Sequence, residues 1–216
     1  MNKSRKIGIG LLTYQRPECK KLFLSQLKKN DPFYTYKLFI EEDNNSISDG
    51  TNKCLKALSD CDYIFLFNDD CFPIRVDWDL FFINAGHHHL LYMNNSHIPM
   101  LDNGTVTTYK DCSGCFLFLT KEVFKTVGYF NTAYTVNGME HKAYSERIRK
   151  VLKEDGFKCL NDTDKYLYSL DLQNDKDWKV WHKSLITPNQ RVMASNLNMP
   201  IFLEEINGEK IHYGNT

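Results

Sequence analysis

The feature that most constrains this chain is a succession of short apolar runs, each followed by a helical pattern and each ending in polar residues. Residues 7–13 form the first run. Pro17 then marks a helix start, with Leu22, Phe23, Leu24 and Leu27 on one apolar face. A second strand is predicted over Tyr36–Glu41. A helix follows with Asp49 as its N-cap and Leu55 and Leu58 on its apolar side. A third strand is predicted over residues 63–67. Strand–helix–strand–helix–strand is the pattern of a parallel sheet with right-handed crossovers. Such sheets bind ligands at the carboxyl ends of their strands.

The second half is more mixed. Helical patterns cover residues 77–86, Lys121–Val127 and 139–152, the last with Ala143, Tyr144, Ile148, Val151 and Leu152 at helical spacing and Gly156 beyond its end. Residues 114–119 read as a strand, and 200–213 as a hairpin turning at Asn207-Gly208.

Composition excludes several classes. The chain has 216 residues, 42% hydrophobic and 13% aromatic, enough for one large domain with a real core. Lys plus Arg equals Asp plus Glu, 27 each, which argues against extensive nucleic-acid binding through phosphates. No apolar stretch approaches the roughly 18 residues of a membrane helix. The basic start is followed by too short and too Gly-rich a run for a signal peptide. A soluble, cytoplasmic protein is expected. Seven cysteines without a secretory signal suggest free thiols. Cys112-Ser-Gly-Cys115 has metal or redox spacing, but no second pair completes a zinc site.

The chemistry is expected in the loops after the three N-terminal strands: Thr13-Tyr14-Gln15-Arg16-Pro17, Asp43-Asn44-Asn45-Ser46 and Asn68-Asp69-Asp70. Gly8-Ile9-Gly10 is not a dinucleotide fingerprint, because its glycines lie inside the strand and Thr13 stands where the third glycine belongs. Asn68-Asp69-Asp70 is the sharpest local signal. Two acids at the end of a buried strand would repel a diphosphate unless a divalent cation bridged them, and hard oxygen ligands suit Mg2+ or Mn2+. An acidic turn is the alternative.

Taken in order, these segments resemble the large inverting GT-A family of glycosyltransferases (family 2) over about residues 6 to 150. The segment Ile7-Gly-Ile-Gly-Leu-Leu-Thr-Tyr-Gln-Arg-Pro-Glu18 is similar to the family's opening strand and its Thr-Tyr-Asn-Arg-Pro loop. Asp43-Asn-Asn-Ser-Ile-Ser-Asp-Gly-Thr51 resembles its second loop. Asn52-Lys-Cys-Leu-Lys-Ala57 resembles the helix start, with Cys54 in place of Gly. The strand ending at Asp70 resembles the one carrying the metal-binding Asp-x-Asp motif, with Asn68 at its first position. Residues 113–131 resemble the segment that shapes the acceptor side. Gly138-Met-Glu-His141 stands where the family has Gly-x-Glu-Asp, and Tyr144-Ser-Glu-Arg147 fits the helix behind it.

The resemblance implies a GT-A fold: a Rossmann-like, mostly parallel central sheet flanked by helices, with a smaller acceptor-side β region. It implies a single domain, with residues 1–110 on the nucleotide-sugar side and 111–216 on the acceptor side. Thr13, Tyr14, Arg16, Asp43, Asn52 and Asp69 are expected to contact the donor, a UDP- or GDP-sugar. Asp70 is expected to bind the Mn2+ or Mg2+ ion, with His182 as a late ligand. Glu140 is the first candidate for general base and His141 the second. The acceptor, whether glycan, protein or modified base, is open. A nucleotidyltransferase and a non-catalytic nucleotide-sugar-binding module remain alternatives. The His87-His88-His89 run reads as a partly solvated helix end.

Overall fold

The structure, a computed structural model, describes residues 5–43, 46–94, 96–134, 138–176 and 188–214. The N-terminal half alternates as expected: β1 (Ile7–Leu12), α1 (Pro17–Lys29), β2 (Tyr36–Glu41), α2 (Ile47–Leu58) and β3 (Tyr63–Asn68). β1 lies between β2 and β3 and pairs in parallel with both. The five-stranded central sheet is completed by β8 (Phe116–Thr120), antiparallel to β3, and β5 (His89–Leu91), antiparallel to β8. All its strands but β8 therefore run in one direction.

Alternation along these strands explains why the sheet has a core on each face. Ile7, Ile9 and Leu11 of β1, Phe65 and Phe67 of β3, and Phe116 and Phe118 of β8 join one buried cluster with Trp78 and Phe82. Ile64, Leu66, Leu117 and Leu119 point the other way, into a cluster with Leu55, Leu58, Val123, Tyr144 and Ile148. On that second face β1 carries Gly8 and Gly10, followed by Leu12 at its end. A Cβ on Gly10 would stand 2.7 Å from Leu66 Cδ2 and 3.0 Å from Cys54 Cβ, so the glycines let α2 lie close on the strand.

The remaining elements form smaller units. β4 (Cys71–Pro73) pairs antiparallel with β10 (Leu167–Ser169). β6 (Pro99–Asp102), β7 (Val106–Tyr109) and β9 (Phe157–Leu160) form a three-stranded antiparallel sheet. The helices are α3 (Trp78–Asn84), α4 (Lys121–Val127), α5 (Glu140–Leu152) and α6 (Pro188–Asn207).

Four sequence expectations are corrected. The cap of α2 is Ser46, whose Oγ accepts from the Asp49 N–H at 3.1 Å, while Asp49 sits inside the first turn. α3 is shorter than expected: left-handed Asp77 precedes its start, and Gly86, with φ 71°, lies beyond its end. His89 is no helix end but a buried strand residue, its ionisation pushed down to about 3 by burial. The expected hairpin over 200–213 is the second half of α6 and a tail. Pro200 lies inside the helix, and Ala194, Asn198, Phe202 and Glu205 bury one side at helical spacing. Gly208 follows the helix, donating to the Glu204 carbonyl at 2.8 Å.

One buried side chain ties this C-terminal region down. Arg147 of α5 is 1% exposed. Its Nε donates to Glu205 Oε1 at 2.7 Å, and its other nitrogens reach the carbonyls of Val127, Tyr129 and Ile211. Its guanidinium also lies over the Tyr213 ring, 4.4 Å from the centroid.

Candidate active site

The loops after β1 and β3 converge on Asp69. Its N–H donates to the Leu12 carbonyl at 3.1 Å, which places its carboxylate under the loop after β1. There Thr13 Oγ1 donates to Asp69 Oδ2 at 2.6 Å and Arg16 to Oδ1 at 3.0 Å. Burial raises the Asp69 carboxyl, while Arg16 and the Thr13 hydroxyl pull the other way. Thr13 is buried, whereas Tyr14 is 41% exposed with its ring available at the strand end. The next residue, Gln15, has φ 52°, a conformation costly for a non-glycine side chain, and its amide holds the Tyr14 hydroxyl at 2.9 Å.

Asp70 is 6% exposed. Ser169 Oγ donates to its Oδ2 at 3.3 Å, and its carbonyl accepts from Leu170 N–H at 2.8 Å. Among the described residues no ion pair reaches it. Burial pushes its carboxyl up to about 7, and the neighbouring charges of Asp69 and Asp171 add to the effect. Ser169 and Asp171 were not found from sequence. Ser169 lies 99 residues from Asp70 and meets it through the β4–β10 pairing, beyond the segments that carry the family resemblance.

The β2 end is organised around Glu41, which is buried and accepts from the Asp43 N–H and from Lys53 Nζ, both at 3.1 Å. Asp43 is exposed beside it. The Asn52 amide clamps Phe130, donating to the carbonyl at 3.0 Å and accepting from the N–H at 2.8 Å. It thereby ties α2 to the loop after α4.

On that side the motif 138–141 opens α5. Met139 is left-handed, and Gly138 has φ 125° with Ser195 Oγ only 3.1 Å from where a Cβ would stand, so a side chain there would be both strained and crowded. Asn198 of α6 donates to the Gly138 carbonyl at 2.7 Å. Glu140 is 4% exposed, accepts from the Gly138 N–H at 2.6 Å, and is pushed up to about 7 by burial. A carboxyl poised near neutrality is suited to proton transfer. His141 differs: its ring nitrogens are out of solvent, and burial lowers its ionisation to about 4. His182 lies outside the described residues.

The metal chemistry fits Asp70. Mg2+ and Mn2+ are commonly held by one or two carboxylates plus substrate phosphates, without an all-protein cage. Among the described residues no group of three or more His, Cys, Asp or Glu side chains is arranged to hold a metal. Cys112 and Cys115 belong to no such group, and all seven cysteines are free thiols. No helix among the described residues is long and apolar enough to cross a membrane.

No family model matches the chain. A protein of Acanthamoeba polyphaga mimivirus named as an uncharacterised glycosyltransferase is 26% identical over 132 residues, covering 53% of this chain. That match spans 50% of the relative, so the chain accounts for about half of the relative's length. Among solved structures, TarS of S. aureus superposes with a TM-score of 0.57 at 13% identity, over 76% of this chain and 36% of TarS. A Drosophila β-1,4-galactosyltransferase 7 variant in complex with manganese, UDP-Gal and xylobiose gives 0.53 at 15% identity, over 88% and 79% of the two chains. GalNAc-T7 with UDP, GalNAc and Mn2+ gives 0.52 at 10% identity, over 72% and 42%. The likeness is one of fold: this chain has the GT-A fold of glycosyltransferases.

Proposed function

We propose that this protein is a divalent-cation-dependent glycosyltransferase that moves a sugar from a UDP- or GDP-sugar to a hydroxyl acceptor with inversion. The observation that carries the reading is Asp70. It is a buried carboxyl at a strand end, beside a second acid, with only a hydroxyl as its side-chain hydrogen-bond partner and no ion pair among the described residues. Burying such a group is costly unless something pairs with its charge. The mimivirus relative's name and the UDP and manganese of the fold neighbours support the same chemistry.

In this reading Asp70 holds Mn2+ or Mg2+, and His182 is a second candidate ligand. A cation held there would supply positive charge against the leaving diphosphate. Asp69 acts mainly by holding Thr13, Tyr14 and Arg16, which face the nucleotide. Tyr14 stacks on the base, and Asp43 accepts from the base or ribose. Asn52 contributes by fixing α2 against Phe130. Glu140 takes the acceptor hydroxyl's proton as the acceptor oxygen bonds to the anomeric carbon and the bond to the diphosphate breaks on the opposite face.

Calorimetric titration of UDP and GDP tests the reading. Binding should be at least tenfold tighter with manganese than in EDTA, and equal affinities would remove the metal bridge. Hydrolysis or transfer from a nucleotide sugar separates an enzyme from a binding module.

A further inference from the structure

The first two residues of α5 meet different surroundings. Glu140 is held by its own turn, whereas the His141 ring is wedged between two other elements. It lies edge-on to the Phe130 ring, 5.3 Å between centroids at 81°. On another side it presses on Gly114, where a Cβ would come within 2.5 Å of its Cδ2. Both ring nitrogens are buried and have no hydrogen-bond partner among the described residues. The same holds for the hydroxyl of Thr51 on α2, a residue 2% exposed. His141, Thr51 and Asn68 are the polar members of the wall of one small void of about 10 Å³, whose remaining wall is glycine and apolar side chains, Leu12, Leu66 and Leu117 among them. A void of that size takes at most one water, which is held there only by polar partners in the wall.

We propose that this void is a single-water site, in which a buried water bridges the His141 imidazole and the Thr51 hydroxyl, and that His141 is thereby a positioning residue for Glu140 and not a proton acceptor. A neutral imidazole offers one donor and one acceptor, and a hydroxyl offers both, so a water can complete the bridge in either direction. Left unpaired, each of these buried groups would bear its desolvation penalty in full. The low ionisation of His141 agrees with an imidazole that stays neutral. The bridge ties the first turn of α5, which carries Glu140, to α2, which follows the β2 loop. The positioning role rests on the reading of Glu140 as base; the water site does not.

The test uses the full chain. In wild type, a ring proton of His141, assigned by its loss in His141→Gln, should show an NOE to a long-lived water. Thr51→Val removes the hydroxyl and keeps the shape. It should abolish that NOE and shift the His141 ring 15N resonances, and Thr51→Ser should restore both. Absence of the water NOE in wild type, or unchanged ring resonances in Thr51→Val, overturns the water site. For the positioning role, the Ala143 amide, which donates to the Met139 carbonyl at 2.8 Å, should exchange about tenfold faster in Thr51→Val. In turnover with a nucleotide sugar, Thr51→Val should lower kcat about three- to tenfold with donor KM unchanged, again rescued by Thr51→Ser. Unchanged exchange, or unchanged kcat in an active enzyme, overturns the positioning role. A chain that turns over no nucleotide sugar refutes the proposed function, while the spectra still decide the water site and the exchange rates the tethering of α5.

Discussion

The two halves of the site proposed to face donor and acceptor hold their carboxyls by different means. Asp69 and Asp70 sit at the end of a strand buried in the middle of a sheet, and the partners of Asp69, Thr13 and Arg16, come from the adjacent strand end. Glu140 sits at the start of a helix whose position depends on elements distant in the chain. α6 closes on Gly138 through Asn198, and Arg147 binds Glu205 at the far end of α6. The first arrangement follows from sheet formation itself. The second requires the C-terminal region to be docked, so the acceptor side is the more vulnerable to a single distant change.

Asp70→Ala should produce the largest effect, a loss of transfer of about 1000-fold or more measured with saturating manganese, with the far-ultraviolet spectrum unchanged. Turnover near the wild-type rate would take Asp70 out of the site and leave His182 as the remaining candidate ligand.

Arg147→Met asks whether the acceptor side depends on its buried ion pair. The variant strands Glu205 without its cation and should lose about 3–5 kcal/mol of stability in urea denaturation. Arg147→Met combined with Glu205→Leu should recover a large part of that loss, because replacing a buried pair by apolar groups is often neutral. If the single variant is as stable as wild type, the contrast between the halves fails.

Glu140→Gln should lower kcat by about 100-fold with donor affinity little changed. The wild-type rate should rise with pH through about 7, the value to which burial pushes this carboxyl, and the variant should lack that limb. Saturating manganese keeps Asp70 ionised across the range, so that its own titration does not enter. The sign for stability is opposite. A carboxyl whose ionisation is raised by folding stabilises the fold while protonated, and that contribution fades as pH climbs from about 4.5 through 7. Glu140→Gln should therefore melt higher than wild type at pH 8 and not at pH 5. A variant with full activity would transfer the role of base elsewhere.

The smallest effect belongs to the cap of α2. Ser46→Ala should cost about 1 kcal/mol, and Asp49→Ala only a few tenths, measured by thermal unfolding. The reverse order would restore Asp49 as the cap.

Much of the donor side was legible in the sequence. The three strands and α1 and α2 follow from the alternation of apolar runs and helical patterns, and the acids at the β3 end stood out because they interrupt such a run. Asp49 was misread as a cap because Asp and Ser both suit that role, and only the extended backbone of Ser46 distinguishes them. On the acceptor side α4 was placed to the residue and α5 to within one. The short strands β4, β5, β6, β7, β9 and β10 were not anticipated, since runs of three or four residues carry little periodicity. α6 was lost because Pro200 and Asn207-Gly208 read as breakers, whereas its buried face packs against Tyr134 and Ala143 well enough to keep the helix intact around the proline.

By itself the sequence determined the fold class, the strand ends where polar groups gather, and the candidacy of Asp70 and Glu140. The strand ends and Asp70 depend on local periodicity and on residues adjacent in the chain, whereas Glu140 rests on the resemblance of Gly138-Met-Glu-His141 to the family motif. Only the tertiary structure decided that Ser169 reaches Asp70, that Asn52 clamps Phe130, and that the Glu140 carboxyl and the His141 imidazole, neighbours in sequence, are shifted in opposite directions. Burial disfavours the charged form of each, raising the acid and lowering the base. How deeply a group is buried is set by elements that pack over it from elsewhere in the chain, and no local pattern records that.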